Sequence, residues 1–213
     1  MLLHNVPTHL TPADKAALDI ILQTVDFPSE VTARNELSLI RDIQTAVFTY
    51  DRRKKIPHGQ PREPQDYLAH GGGLCYDRSR TLEKALRYQG FSVRHVSIYA
   101  NPDNVSFLRI LLQKGTPSHA LTEVKTRLGW LALDPDVAWV AADDTGEVYA
   151  VREISSPAVR DALPQSLSLH IRRLYTEEKI VVYGLYSRHG KFYPPYNFIP
   201  DYNLRELMYN FGE

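Results

Sequence analysis

The chain has 213 residues, 43% of them hydrophobic and 23% charged, a balance that excludes a disordered chain and leaves room for one domain, 1–213, with a sizeable buried core. Lysine plus arginine, at 25, equal aspartate plus glutamate, at 25, so no overall field draws the protein to nucleic acid or to an anionic membrane. The single cysteine excludes an intramolecular disulfide and a multi-cysteine zinc site, which leaves it either a bland core residue or a chemical one.

Met1 to Leu10 contains no basic region followed by an apolar stretch, and no later run approaches the roughly 18 apolar residues of a membrane span. A cytoplasmic protein is the expectation. Thr11, Pro12 and Asp14 read as a helix start, and Leu18, Ile21, Leu22 and Val25 recur at helical spacing, which predicts a helix from Pro12 to Val25. After the Phe27-Pro28 break, Ser29 caps a second predicted helix. Its stripe of Val31, Leu37, Ile40, Ile43, Val47 and Tyr50 runs to Arg52-Arg53-Lys54-Lys55, cations that suit a solvated helix C-terminus. Ile56 to His70 holds Pro57, Pro61 and Pro64 and reads as a long surface loop, a kind of segment that often carries function. Gly71-Gly72-Gly73-Leu74 then leads to Cys75, and Tyr76 to Gln89 carries Leu82, Ala85, Leu86 and strong helix formers before Gly90. Cys75 therefore opens a helix.

Beyond Gly90 the pattern turns strand-like in Phe91 to Tyr99, His119 to Lys125, Trp130 to Leu133, Glu147 to Val151 and Lys179 to Tyr186. Pro157 to Leu163, Pro164 to Tyr175 and Asn203 to Asn210 read as short helices. Helices first and strands second predict an α+β fold. Its parts are a helical segment at 1–55, a motif-bearing core at 71–136, and 137–213 completing the sheet and ending in a strap.

A thiol attacks only as thiolate, a form favoured by a helix N-terminus and by a protonated histidine. Cys75 has the first, and the glycines before it remove side chains where a substrate backbone must come close. His119, in Pro117-Ser118-His119-Ala120, begins a strand instead of sitting in its apolar middle. Asp134, in Trp130-Leu131-Ala132-Leu133-Asp134-Pro135, leaves the next one. A turn within Thr126 to Gly129 makes the two strands a hairpin. Centred between Thr126 and Arg127 it sets His119 directly opposite Asp134; centred on Leu128-Gly129 it misaligns them unless a bulge intervenes. The roles expected are Cys75 as nucleophile, His119 as proton carrier and Asp134 as the group that orients the imidazole, with Asp136 in reserve. The Cys75 N–H is a natural oxyanion donor, Gly73 lets the oxyanion approach, and Gln65, Tyr67 or His70 supplies the second donor.

In that order, Gly73-Leu74-Cys75 opening a helix that ends in Arg87-Tyr88-Gln89-Gly90-Phe91, then Ser118-His119-Ala120, then Leu133-Asp134-Pro135 resemble the transglutaminase-like superfamily over about Gly71 to Asp136. The resemblance implies a papain-like α+β fold with the cysteine-bearing helix packed on an antiparallel sheet. It also implies amide acyl transfer through a thioester, with a peptide or protein as substrate and hydrolysis common among bacterial members. The chain departs from the family pattern in having Leu121 where an aromatic is common, and in lacking a tryptophan upstream of Cys75. That residue helps to hold the oxyanion in crosslinking enzymes, so its absence favours hydrolysis.

Arylamine N-acetyltransferases also place Gly-Gly-x-Cys at a helix start. Leu133-Asp134-Pro135 fits the transglutaminase pattern better, and no coenzyme A phosphate site is visible. A non-enzymatic binding module on the same scaffold is the further alternative. Among the other histidines, His95 reads as packed in a strand, His170 as lying on a helix face and His189 as part of a polar turn. Phe192 to Pro200 reads as an aromatic and proline-rich strap over the core or the cleft. No metal-ligand spacing and no phosphate-binding glycine loop occurs, so neither a metal nor a cofactor is expected.

Overall fold

The computed structural model describes residues 5–51, 55–57, 60–113, 115–186 and 201–212. Helix α1, Pro12–Ile21, starts where the sequence places it: the Thr11 hydroxyl accepts the Asp14 N–H at 3.1 Å and the Asp14 carboxylate accepts the Thr11 N–H at 2.8 Å. Helix α2, Glu36–Tyr50, starts seven residues later than the expected Ser29 cap. The Asn35 side chain accepts the Thr32 N–H at 2.7 Å and donates to the Glu30 carbonyl at 2.9 Å, local bonds that satisfy the chain outside a helix. The expected loop from Ile56 to His70 contains a helix, α3, Pro64–His70. A proline stops a helix from within but suits its first position, and here the Glu63 N–H is taken up by the Asp66 carboxylate at 3.0 Å. Arg52 to Lys54 of the basic run, His189 and the strap Phe192 to Pro200 lie outside the described residues.

Helix α4, Cys75–Tyr88, is the axis of the fold, packed by α1 to α3 on one side and by two strands on the other. Those strands are β1, Val93–Ala100, and β2, Ser118–Lys125, joined through α5, Phe107–Leu112. Next come β3, Trp130–Asp134, and β4, Trp139–Val140. Helices α6, Pro157–Asp161, and α7, Leu169–Thr176, precede β5, Lys179–Tyr183. The five strands form one antiparallel sheet in the order β4-β3-β2-β1-β5. The architecture is thus the expected α+β one, with the cysteine-bearing helix laid on the sheet.

Glu147 to Val151 is not a strand: it makes one isolated bridge, Ala142↔Val148, and ends in a 3-10 turn at Val151. The edge position beside β3 is taken by Trp139–Val140. The expected Lys179 to Tyr186 strand breaks at Gly184, whose φ is 70° and whose missing Cβ leaves room for the Leu207 N–H, 2.6 Å from where it would stand. Past that break, β6, Leu185–Tyr186, pairs with β7, Asp201–Tyr202, ahead of α8, Leu204–Leu207. No helix among the described residues is long and apolar enough to cross a membrane.

The surroundings of α4 are unusual in charge. Lys84, 1% exposed, is held by Asp14 and Glu63, each at 2.7 Å. Glu83, 0% exposed, accepts from His95 at 2.5 Å, and the His95 ring stacks on Tyr186. His95 is thus a packed strand residue, as its sequence context suggests, and His170 is exposed on α7.

Candidate active site

Cys75 is the first residue of α4 and is half-buried, so it sits at a helix N-terminus without being sealed in the core. The geometry just before it explains the Gly-x-Cys spacing. The Asp77 carboxylate turns back to accept the Leu74 N–H at 2.8 Å, and to do so it crosses Gly73 so closely that a Cβ there would lie 2.3 Å from the Asp77 Cβ. Arg62, from the segment before α3, holds the other side of Asp77 with contacts of 2.7 and 2.8 Å to its two carboxylate oxygens. Burial pushes the Asp77 carboxyl upward and the Arg62 guanidinium pulls against it. Gly73→Ala should therefore displace Asp77 and loosen the helix start. The expected cost is about 1–3 kcal/mol, measured by chemical denaturation, together with slower alkylation of Cys75. Unchanged stability would mean that Asp77 swings away freely.

His119 enters β2 and Asp134 leaves β3. The observed register pairs Thr122 with Leu133 and Lys125 with Trp130, so the turn is centred between Arg127 and Leu128, one residue beyond the centre that direct opposition requires. His119 and Asp134 are diagonal neighbours on one face, a separation side chains span. The His119 Nε2 meets Asp134 Oδ1 at 3.2 Å without a bulge. Cys75 is near enough to the imidazole to act with Asp134 in favouring its charged form.

Three further groups fix Asp134. Its Oδ1 also accepts the Asp136 N–H at 2.6 Å, its Oδ2 accepts the Tyr175 hydroxyl from α7, and its backbone carbonyl accepts the Gln44 amide from α2 at 2.8 Å. Gln44 binds the Trp139 carbonyl as well, at 2.6 Å. The Asp136 carboxylate is engaged by another group. Arg78, one turn along α4 from Cys75, bridges it to Asp51 at the end of α2. Sequence reasoning missed Tyr175, Gln44, Arg78 and Arg62. Each acts across a long sequence separation, so no local pattern announces it.

Burial is the largest influence on both members of the pair and opposes both charges. The pair overcomes it: Asp134 and the Cys75 sulfur raise the His119 pKa well above 6.5, and His119, Tyr175 and the Asp136 N–H hold Asp134 below its usual 3.8. The interactions within the pair thus favour the imidazolium and the carboxylate together, with Cys75 as a neighbour. His119, Asp134 and Asp136 also bring ligand atoms within 4.8 Å of one another. Those carboxylates already accept from the imidazole, the Tyr175 hydroxyl, a backbone N–H and Arg78, and a cation would have to displace such donors.

The three side chains suggested for the second oxyanion contact fare differently. Tyr67 is 1% exposed and its hydroxyl donates into α2, to the Val47 carbonyl at 3.0 Å, so it serves the core and not the cleft. The His70 Nδ1 is tied to the Asp66 carbonyl of its own helix at 2.9 Å. Gln65 is half-buried, and its Oε1 is enclosed without a partner.

A model of the transglutaminase-like superfamily matches residues 26–135, just over half of the chain. The chain belongs to the transglutaminase-like superfamily. It is thereby placed among papain-like cysteine enzymes, a superfamily whose members are usually enzymatic. Searches of curated proteins and of solved structures found no significant match. The superfamily match covers Cys75, His119 and Asp134 and ends before Tyr175.

Proposed function

We propose that the protein is a cysteine hydrolase of amide bonds that acts on a peptide or protein. The observation that carries this reading is His119, buried, bonded to Asp134 at 3.2 Å and neighboured by Cys75, a half-buried residue at a helix N-terminus. The Cys75 thiolate attacks the amide carbon, and the carbonyl electrons move onto oxygen. The Cys75 N–H at the helix start receives that oxyanion. His119 passes its proton to the departing nitrogen as the C–N bond breaks, which leaves a thioester. Water, losing a proton to His119, then cleaves the thioester and restores the thiolate. Asp134 holds the imidazole in place and stabilises its cation throughout.

A cavity of about 700 Å³ borders Leu74 on one side and Asp136 on the other, with Phe48, Leu167 and Ile171 among its walls. It is large enough for several residues of a polypeptide. The two tryptophans, Trp130 and Trp139, both follow Cys75 in the chain, and Trp139 is buried against Tyr175. Water as acceptor is therefore favoured over an amine.

At pH 6.5 iodoacetamide should label Cys75 faster than it labels glutathione, because the imidazolium stabilises the attacking thiolate. A rate equal to or below that of glutathione would favour a binding module. The acceptor is read with a labelled casein and a glutaminyl peptide. Cleavage or ammonia release without incorporation of a fluorescent amine supports hydrolysis, and preferential amine incorporation overturns it.

A further inference from the structure

Tyr175 lies forty residues beyond the end of the superfamily match, on a helix that shares no motif with the Cys, His and Asp segments. It is nevertheless fully buried against them. Its ring centroid is 6.2 Å from that of His119 and 5.8 Å from that of Trp139, and its hydroxyl donates to Asp134 Oδ2. Its backbone is anchored as well, since the Tyr175 carbonyl accepts from the Ser155 hydroxyl at 3.0 Å and from the Lys179 ammonium at 3.1 Å. The phenol is thus aimed from a fixed position at a fixed carboxylate.

Asp134 is 0% exposed, so water cannot replace a lost donor. Oδ1 has two donors, His119 Nε2 and the Asp136 N–H, whereas among the described residues Oδ2 accepts from the Tyr175 hydroxyl alone. Without that donor the carboxylate can rotate to seek another partner, and rotation moves Oδ1 out of line with Nε2. Burial and the neighbouring carboxylates of Asp134 and Asp136 keep the phenol protonated far above its usual range, so it stays a donor at every working pH.

We infer that Tyr175 is a positioning residue of the catalytic apparatus, a fourth member behind Cys75, His119 and Asp134 that locks the carboxylate so that it holds the imidazole against the sulfur. The inference rests on the proposed reading of Cys75 as nucleophile. It adds that the reactivity of Cys75 depends on a hydroxyl supplied by α7, outside the family motif.

The test is Tyr175→Phe, which keeps the ring contacts to His119 and Trp139 and removes only the oxygen. Iodoacetamide alkylation of Cys75 is followed from pH 4 to 10 in the wild type, in Y175F, in D134N and in the double variant. Y175F should slow alkylation roughly tenfold to a hundredfold at pH 6.5, the range expected for a lost hydrogen bond to a charged group. It should also move the acid limb of the profile upward, since the phenol is one of the groups that keep Asp134 ionised. In the D134N background the same change should have little further effect, because there is no carboxylate left to lock. A Y175F profile that overlays the wild type overturns the proposal, whatever happens to the melting temperature. So does a Y175F effect that is undiminished in D134N. If wild-type Cys75 itself reacts no faster than glutathione, the nucleophile reading has failed, and Tyr175 has nothing to position; that result is separate from a Y175F overlay on a reactive wild type.

Discussion

Cys75→Ala should abolish turnover while leaving the fold intact. The residue is half-buried at a helix start, so removing its sulfur opens no core cavity, and the stability loss should stay below about 1 kcal/mol. The chemistry has no substitute, since a triad stripped of its nucleophile retains only what binding and the oxyanion site provide; a fall of about 10⁴-fold or more in kcat/KM is expected. Because the chain has one cysteine, the variant also gives a clean control. One equivalent of iodoacetamide should enter the wild type and none the variant, and labelling should match the loss of activity equivalent for equivalent. A Cys75→Ala protein that still cleaves casein or releases ammonia from the glutaminyl peptide would remove the nucleophile from the scheme.

Much of the candidate site's local framework is legible in the sequence. The Thr11 cap, the helix beginning at Cys75, a histidine entering one strand and an aspartate leaving the next are local patterns, and local patterns survive because neighbouring residues alone produce them. The hairpin register was not visible. Thr126 decides it: its N–H and hydroxyl both donate to the Gly129 carbonyl, at 2.8 and 2.9 Å, and its hydroxyl oxygen accepts from the Leu128 and Gly129 N–H groups, each at 3.2 Å. Those bonds close a four-residue turn one residue along from the centre that direct opposition requires. The diagonal pair still works, because a two-residue offset keeps both side chains on one face.

What escaped the sequence has a common cause. Asp77, Arg80, Glu83 and Lys84 look like the polar face of an amphipathic helix, yet all four are buried, because partners for them come from distant segments of the chain. The same holds for two supports of Asp134: Gln44 on α2 bonds its backbone carbonyl and Tyr175 on α7 its carboxylate, and only the fold brings them to one residue. Pro64 misled for a different reason. A proline is a helix breaker or a helix opener according to one position in register, and the Glu63–Asp66 bond that selects opening is visible only in the structure.

Asp134→Asn should cost roughly a thousandfold in kcat/KM with little change in KM, and the pH behaviour should show why. In the wild type, Asp134 and Cys75 hold the imidazolium to well above pH 6.5, so the alkaline limb of activity, where His119 loses its proton, lies well above that value. The amide of Asn carries no charge, which leaves burial as the dominant influence on the ring. Burial disfavours the cation, so the imidazole titration, followed by NMR, should drop steeply, and the alkaline limb should follow it. Stability should change in the same sense. The lowered Asp134 pKa contributes stability that is present above about pH 4 and lost as pH falls through the folded value. The raised His119 pKa contributes stability that is present below pH 6.5 and lost as pH rises through its folded value. Asn should flatten both flanks at once. Asn also brings a donor where Asp134 had only acceptors, so either the Tyr175 hydroxyl or the His119 Nε2 faces an N–H, and the imidazole can be held in the wrong tautomer. An Asn variant with wild-type kcat and an unmoved imidazole titration would show that geometry alone, without the charge, suffices to hold His119 against Cys75.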